Sequence, residues 1–345
     1  MTIMKMTDFA KYLTEYFSRY LPIECGASTN TINAYSTTFT LLIRYMGIYR
    51  SISPDYIKMS DFSREIINDF LIWIEKDRKC NSSTRNARLA AIHSFFRFVQ
   101  LKDVKGLATW QSILSIKVKK SRSKEMPYLT IDGIKLILNQ PDLSTKYGRR
   151  DFTLLGLLYD SAMRVQELIN ITPSDIRFDG STTTIKVIGK GQKVRLIPLS
   201  TAQTKNLRQY MTEIGLFEPN NLQKPVFHNM QGLQLTRTAI LNIVKKHTSQ
   251  ARQINPALIP ENITCHSFRH SKAVHMLEAD INLVYIRDFL GHTSVTTTEI
   301  YARVSSKVKH DALRKLNPGI IKTGKTSWQK NKALLSYLKD LQNQH

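Results

Sequence analysis

Apolar positions in the first hundred residues recur at helical spacing, and no stretch there alternates as a half-buried strand would. Phe9, Tyr12, Leu13, Tyr16 and Phe17 form one stripe. Ile32, Tyr35, Phe39 and Leu42 form a second after a Ser28/Thr29 start signal, and Ile66, Phe70, Trp73 and Ile74 a third after Ser63. A fourth helix is predicted from about Ser82-Ser83, with Leu89, Ile92, Phe96 and Val99 on its apolar face. Its opposite face carries Arg85, Asn86, Arg88, His93 and Arg97. The stripes read as core; the basic face is either solvated surface or a surface for phosphate.

Residues 101–126 lose this order. Lys102, Lys105, Lys117, Lys119, Lys120, Arg122 and Lys124 face only Asp103 and Glu125, with weak helical periodicity. The expectation is a basic linker over 103–126, suited to a nucleic-acid backbone or serving as a plain solvated tether. From Met126 the pattern is mixed. Thr130 is a start signal for a helix to Leu138, residues 151–159 read as a longer buried helix, and Arg164 to Ile169 as a short one before Pro173. Thr182 to Ile188 and Val194 to Leu199 are β-rich and flank Gly189-Lys190-Gly191-Gln192, a hairpin signal. Helices are expected near 200–214, 236–250, 267–278 and 282–290, followed by one containing Tyr301. A last amphipathic helix carries Trp328, Leu334, Leu335, Tyr337, Leu338 and Leu341, and would pack on its own core or dock on a neighbouring subunit.

The 345-residue length accommodates two domains with cores of their own, and 42% hydrophobic with 22% charged residues is an ordinary globular balance. Net charge changes the picture. An excess of +23 points to a polyanion, nucleic acid or an anionic membrane. No apolar run approaches the roughly 18 residues of a spanning helix, so the membrane is the weaker choice. Residues 1–11 lack the uninterrupted apolar core of a signal peptide. Cys25, Cys80 and Cys265 form no CxxC and suit a reducing cytoplasm, bacterial cytoplasm or nucleoid. Cys265 beside His266 lacks the further partners of a metal site, so neither metal nor cofactor is expected.

Candidate chemistry concentrates between His266 and Tyr301. The stretch holds His266-Ser-Phe-Arg269-His270, Gly291-His292 and a lone Tyr301. Arginine offers a planar charged fork for phosphate oxygens, imidazole moves protons near neutrality, and a phenol flanked by cations is a possible covalent nucleophile.

These segments, with Tyr159-Asp-Ser-Ala-Met-Arg164-Val-Gln-Glu167-Leu, Ile188-Gly-Lys190-Gly-Gln-Lys-Val-Arg195, Leu290-Gly-His292 and Thr296-Thr-Thr-Glu-Ile-Tyr301, resemble the tyrosine recombinase, or phage integrase, family in order and spacing. The resemblance is to Xer-like, two-domain site-specific recombinases. It implies a mainly α fold with a small β-sheet: an all-α, SAM-like core-binding domain (1–102), the linker (103–126), an α+β catalytic domain (127–318) and a tail (319–345). It places the catalytic set on Arg164, Lys190, His266, Arg269, His292 and the nucleophile Tyr301. Glu167 reads as structural support. Arg85, Arg88, Arg97, Lys117, Lys119 and Lys120 are candidate contacts to the DNA backbone. The implied activity is metal- and ATP-independent breaking and rejoining of double-stranded DNA at a specific site through a 3′-phosphotyrosine. A homo-tetramer, or a hetero-tetramer with a related recombinase, would act on paired sites in integration, excision, transposition or resolution. The expectation is a simple recombinase, without an arm-binding domain ahead of residue 8 and without a second class of DNA site. Ser161-Ala162-Met163 replaces the family's usual Thr-Gly-Leu, and Phe268 its usual leucine, without removing a chemical group. A type IB topoisomerase and a DNA-binding protein without catalysis are the rival readings.

Overall fold

A computed structural model of the protein describes residues 6–120, 127–178, 182–189 and 193–292, together with Thr298 and Ser336. The chain divides into two compact units between Lys124 and Glu125. The expected architecture is present: helices predominate and one small antiparallel sheet accompanies them in the second unit.

The first unit contains α1 (Asp8–Glu15), which runs into a π-helical turn (Tyr16–Glu24), then α2 (Thr29–Arg50), α3 (Arg64–Lys76), α4 (Ser82–Val99) and α5 (Leu107–Leu114). Short polar side chains start these helices where the sequence put them. Ser28 accepts from the Thr31 amide, Ser63 from Ile66 and Asn81 from Thr84, each satisfying a donor that the first turn leaves open. The core is aromatic. Phe95 meets Tyr16 edge-on at 5.3 Å and Phe39 at 5.0 Å between ring centroids, a geometry that adds to plain apolar burial.

The stretch expected to be linker contains a helix. In α5, Trp110 and Ile113 are buried, and Trp110 stacks on Phe96 at 5.2 Å. Lysines on either side obscured the Leu107, Trp110, Ile113 spacing that marks its apolar side. Trp110→Ala should therefore destabilise the first unit by about 3–5 kcal/mol, the usual effect of emptying a buried aromatic site. Urea unfolding of the full chain measures it, and a loss below about 1 kcal/mol would show that α5 is not part of that core.

The second unit contains α6 (Ile131–Leu138), α7 (Lys146–Asp160), α8 (Val165–Asn170), β1 (Ile176–Arg177), β2 (Thr184–Ile188), β3 (Val194–Pro198), α9 (Thr201–Glu213), α10 (Arg237–Ile254), α11 (Cys265–Glu278) and α12 (Leu283–Leu290). The strands lie in the order β1-β2-β3, all antiparallel, with Ile185 opposite both Ile176 and Ile197. These three isoleucines bury one face of the sheet against the helical core. The two-residue β1 was not anticipated; it is too short for alternation to register. Lys190, the helix expected around Tyr301, Tyr301 itself and the tail helix lie outside the described residues. Among the described residues no helix is long and apolar enough to cross a membrane.

Candidate active site

The turn after α7 sets the first arginine. Ser161 donates its hydroxyl back to the Leu157 carbonyl and accepts from the Met163 amide. Between them Ala162 adopts a φ of +48°, a left-handed conformation that disfavours side chains by about 1–2 kcal/mol. Arg164 follows as the residue capping α8. Glu167, one turn on, reaches back so that its Oε2 accepts from the Arg164 amide at 2.8 Å while Oε1 accepts from Arg164 Nη1 at 2.8 Å. Arg164 Nη2 donates to the Gly291 carbonyl at 3.1 Å.

Arg269 comes from the first turns of α11 and is only 2% exposed. Its Nη1 donates to the Ala162 carbonyl at 2.7 Å and its Nη2 to the Leu290 carbonyl at 2.5 Å. The two arginines, far apart in sequence, thus grip adjacent carbonyls at the end of α12. Gly291 ends that helix in the left-handed region, at φ +65°. His292 follows directly and its Nδ1 lies 3.0 Å from the Thr298 hydroxyl. On α11, His266 and His270 sit edge-to-face at 5.1 Å. Four of the six expected catalytic residues, Arg164, Arg269, His266 and His292, therefore belong to one neighbourhood. Lys190 and Tyr301 are outside the described residues, although a Cβ on Gly189, next to Lys190, would lie 3.4 Å from Arg195 Nη1.

Sequence reasoning assigned Arg195 no role. It projects from β3, donates Nη1 and Nη2 to the two Glu167 oxygens at 3.0 and 2.7 Å, and donates Nε to the Phe289 carbonyl at 3.2 Å. Glu167 behaves as the structural support it was expected to be. Its buried carboxyl is raised by desolvation, but hydrogen bonds from Arg195 and Arg164 outweigh this and hold it below the usual range.

Desolvation and surrounding guanidinium charge also lower the histidines, here by disfavouring the protonated ring. His292 is pushed down to about 4, first by burial and then by Arg269, Arg164 and Arg195. His270 is also pushed down to about 4, by burial and then by His266 and Arg269. His266 is lowered by burial and by Arg269, Arg164 and Arg237. Burial and nearby positive charge thus favour the neutral form of all three imidazoles.

This has a consequence for stability. The unfolded chain takes up protons on histidine near pH 6.5, whereas folded His270 and His292 resist until about 4. Their unfolded state binds more protons throughout that window, so stability is retained above about pH 6.5 and lost as pH falls toward 4. Glu167, whose pKa is depressed, adds a further loss below the ordinary carboxylate range. Thermal melts between pH 7.5 and 4 should show the decline, and His270→Gln should flatten it. Superimposable curves for variant and wild type would contradict this origin.

The basic face of α4 is rearranged relative to expectation. Arg85 was expected to face solvent but is 5% exposed; its Nη1 donates to the Lys117 carbonyl at 3.1 Å. Asn86 pairs with the Lys119 backbone in both directions, at 2.8 and 3.1 Å. Arg88 is half-buried and donates to the Ala34 carbonyl and Thr38 hydroxyl of α2 at 3.0 and 3.1 Å. The chain after α5 ties down Arg85 and Asn86, while α2 takes up Arg88. Arg97, Lys117, Lys119 and Lys120 remain exposed, Lys119 in an ion pair with Glu75. Among the described residues no cluster of histidine, cysteine and carboxylate side chains has the arrangement of a metal site.

Comparison with known proteins gives a consistent picture. Residues 127–307 match the phage integrase family, and residues 14–102 the phage integrase N-terminal SAM-like domain. The tyrosine recombinase XerD of Listeria innocua is 31% identical over 309 residues, covering 89% of this chain and 98% of the relative. The XerH site-specific recombinase, solved bound to a palindromic difH substrate in a post-cleavage complex, superposes with a TM-score of 0.66 at 20% identity, over 85% of this chain and 81% of the other. The Tn1549 transposon integrase, solved with transposon right-end DNA, gives 0.67 at 14% identity, over 90% and 99%. At these identities the two structures establish a shared fold.

Proposed function

The chain belongs to the phage integrase family, as a tyrosine site-specific DNA recombinase, and from that premise we propose that it cleaves and rejoins duplex DNA through a 3′-phosphotyrosine on Tyr301. The observation that carries this reading is the convergence of Arg164 and Arg269 on the adjacent carbonyls of Leu290 and Gly291, beside His292. A phosphodiester under attack gathers charge on its non-bridging oxygens. Two guanidinium groups fixed by the backbone stabilise that charge without having to reorganise, as metal ions do in other phosphoryl-transfer sites.

In the proposed step, the Tyr301 oxygen bonds to phosphorus and the bond to the 5′ oxygen breaks. His266 takes the phenol proton, and Lys190 gives one to the departing 5′ oxygen, which leaves as the 5′-hydroxyl. His292 donates to a phosphate oxygen. The phosphotyrosine retains the energy of the broken ester, so a 5′-hydroxyl from another strand reverses the step without ATP. Arg97, Lys117, Lys119 and Lys120 are the exposed candidates for backbone contact, and the net charge of +23 supports a DNA partner. The proposed assembly is a homo-tetramer, or a hetero-tetramer with a related recombinase, on paired sites. XerH bound to difH and the Tn1549 integrase bound to a transposon end represent the kinds of target such a protein takes.

The test uses nicked suicide duplexes that span the DNA flanking the protein's own coding region, with EDTA and no nucleotide. Wild-type protein should form an adduct that survives SDS, and peptide mapping should place the DNA on Tyr301. No adduct on any such duplex, or attachment elsewhere, would overturn the proposal.

A further inference from the structure

The geometry points to Arg195 as a positioning residue for strand cleavage: one guanidinium fixes Glu167, and through it Arg164, while joining the hairpin next to Lys190 to the helix end next to His292. The inference rests on the recombinase reading above. Its observations come from four chain segments. Both Arg195 terminal nitrogens meet the Glu167 carboxylate, and the same two oxygens accept from Arg164. The Arg195 Nε holds the Phe289 carbonyl in the last turn of α12, two residues before Gly291. A Cβ built on Gly291 would lie 3.0 to 3.2 Å from the Arg195 side chain, and one on Gly189 would lie 3.4 Å from its Nη1. The glycine before Lys190 and the glycine before His292 thus flank one guanidinium.

Burial and charge separate this from an incidental ion pair. The Arg195 side chain is 12% exposed and that of Glu167 7%. Charges so sheltered are maintained only by close, bidentate pairing. One carboxylate between two arginines leaves one positive charge uncompensated among the three. Glu167 is shared by both guanidinium groups, and of the two that of Arg164 is the more exposed and so the better placed to meet a phosphate. Lysine cannot reproduce the arrangement, because a single ammonium does not span two carboxylate oxygens and a carbonyl in a fixed plane. Arg195 therefore acts on the reaction from behind Glu167.

The experiment compares Arg195→Gln, Arg195→Lys, Glu167→Gln and the Arg195→Gln/Glu167→Gln double variant. Single-turnover cleavage of the suicide duplex, affinity for the same duplex by fluorescence anisotropy, and the His292 imidazole titration by NMR are measured for each. Arg195→Gln should slow cleavage by about 10²-fold, the scale for a disturbed electrostatic site, with affinity changed by less than about twofold. Arg195→Lys keeps the charge and should remain folded at the assay temperature yet be at least about tenfold slow; it carries the test if the glutamine variant does not fold. If Arg195 works through Glu167, the double variant should be about as slow as the slower single one. Losses that multiply, or a rate loss matched by lost affinity, would mean direct contact with DNA and overturn the proposal, as would wild-type rates in either variant. The His292 titration should move upward in Arg195→Gln. Failure of the wild type to cleave would instead count against the recombinase reading, and an unmoved His292 titration would then overturn the positioning role on its own.

Discussion

Tyr301→Phe is expected to abolish covalent capture of DNA while leaving its binding intact. The substitution removes one oxygen and preserves the ring, so contacts to duplex DNA should be unaffected. What disappears is the only group in the proposed step that bonds to phosphorus. Loss of a covalent nucleophile usually lowers turnover by about 10⁴- to 10⁶-fold, which for an adduct assay means no band. Anisotropy on an intact site should give a dissociation constant within about twofold of wild type. An SDS-resistant adduct with the phenylalanine variant would transfer the nucleophile elsewhere and undo the mechanism. The same variant separates the rival without catalysis: a pure binding protein would show no difference between tyrosine and phenylalanine in any assay.

The second large effect is expected at Arg269, where rate and fold depend on the same atoms. Its guanidinium is buried and holds the carbonyls of Ala162 and Leu290. Arg269→Ala leaves both acceptors in a sheltered site and empties the space between α11, α12 and the turn before Arg164. Stranding buried polar groups in this way costs about 1–3 kcal/mol for each, so a loss of about 3–5 kcal/mol is expected in chemical unfolding. Cleavage should fall by about 10³-fold at a temperature where the variant is still folded. Arg269→Lys tests whether charge alone suffices. It should recover part of the stability and little of the rate, because one ammonium cannot grip two carbonyls and face a phosphate at once. Wild-type cleavage by a folded Arg269→Ala protein would remove this residue from the site.

Much of this was legible in the sequence, for a physical reason. Helix starts at Ser28, Ser63 and Thr130 depend on residues three or four positions away, as does the apolar stripe of each helix, so local pattern fixes them. Arg164 and Arg269 were singled out through the family resemblance of the motifs around them; that both reach the end of α12 is a finding of the structure. Three features were not legible. The α5 helix is short, and flanking lysines dominate its neighbourhood; the burial of Trp110 and Ile113 shows it to be core. Arg85 reads as surface from its charge, yet its environment is set by a backbone carbonyl 32 residues further on. Arg195 meets Glu167 across 28 residues and Phe289 across 94, distances over which periodicity carries no information. Its signal in the sequence was present but weak: an arginine in a strand, one hairpin away from a candidate catalytic lysine.

The two glycines beside Arg195 also differ in how freely they can change over evolutionary time. Gly291 is constrained twice. Its left-handed backbone disfavours any side chain by about 1–2 kcal/mol, and a methyl group there would press on the guanidinium. Gly189 lacks the conformational constraint and leaves its neighbour at ordinary contact distance. Alanine is therefore accommodated more easily on the hairpin side of Arg195 than on the helix side.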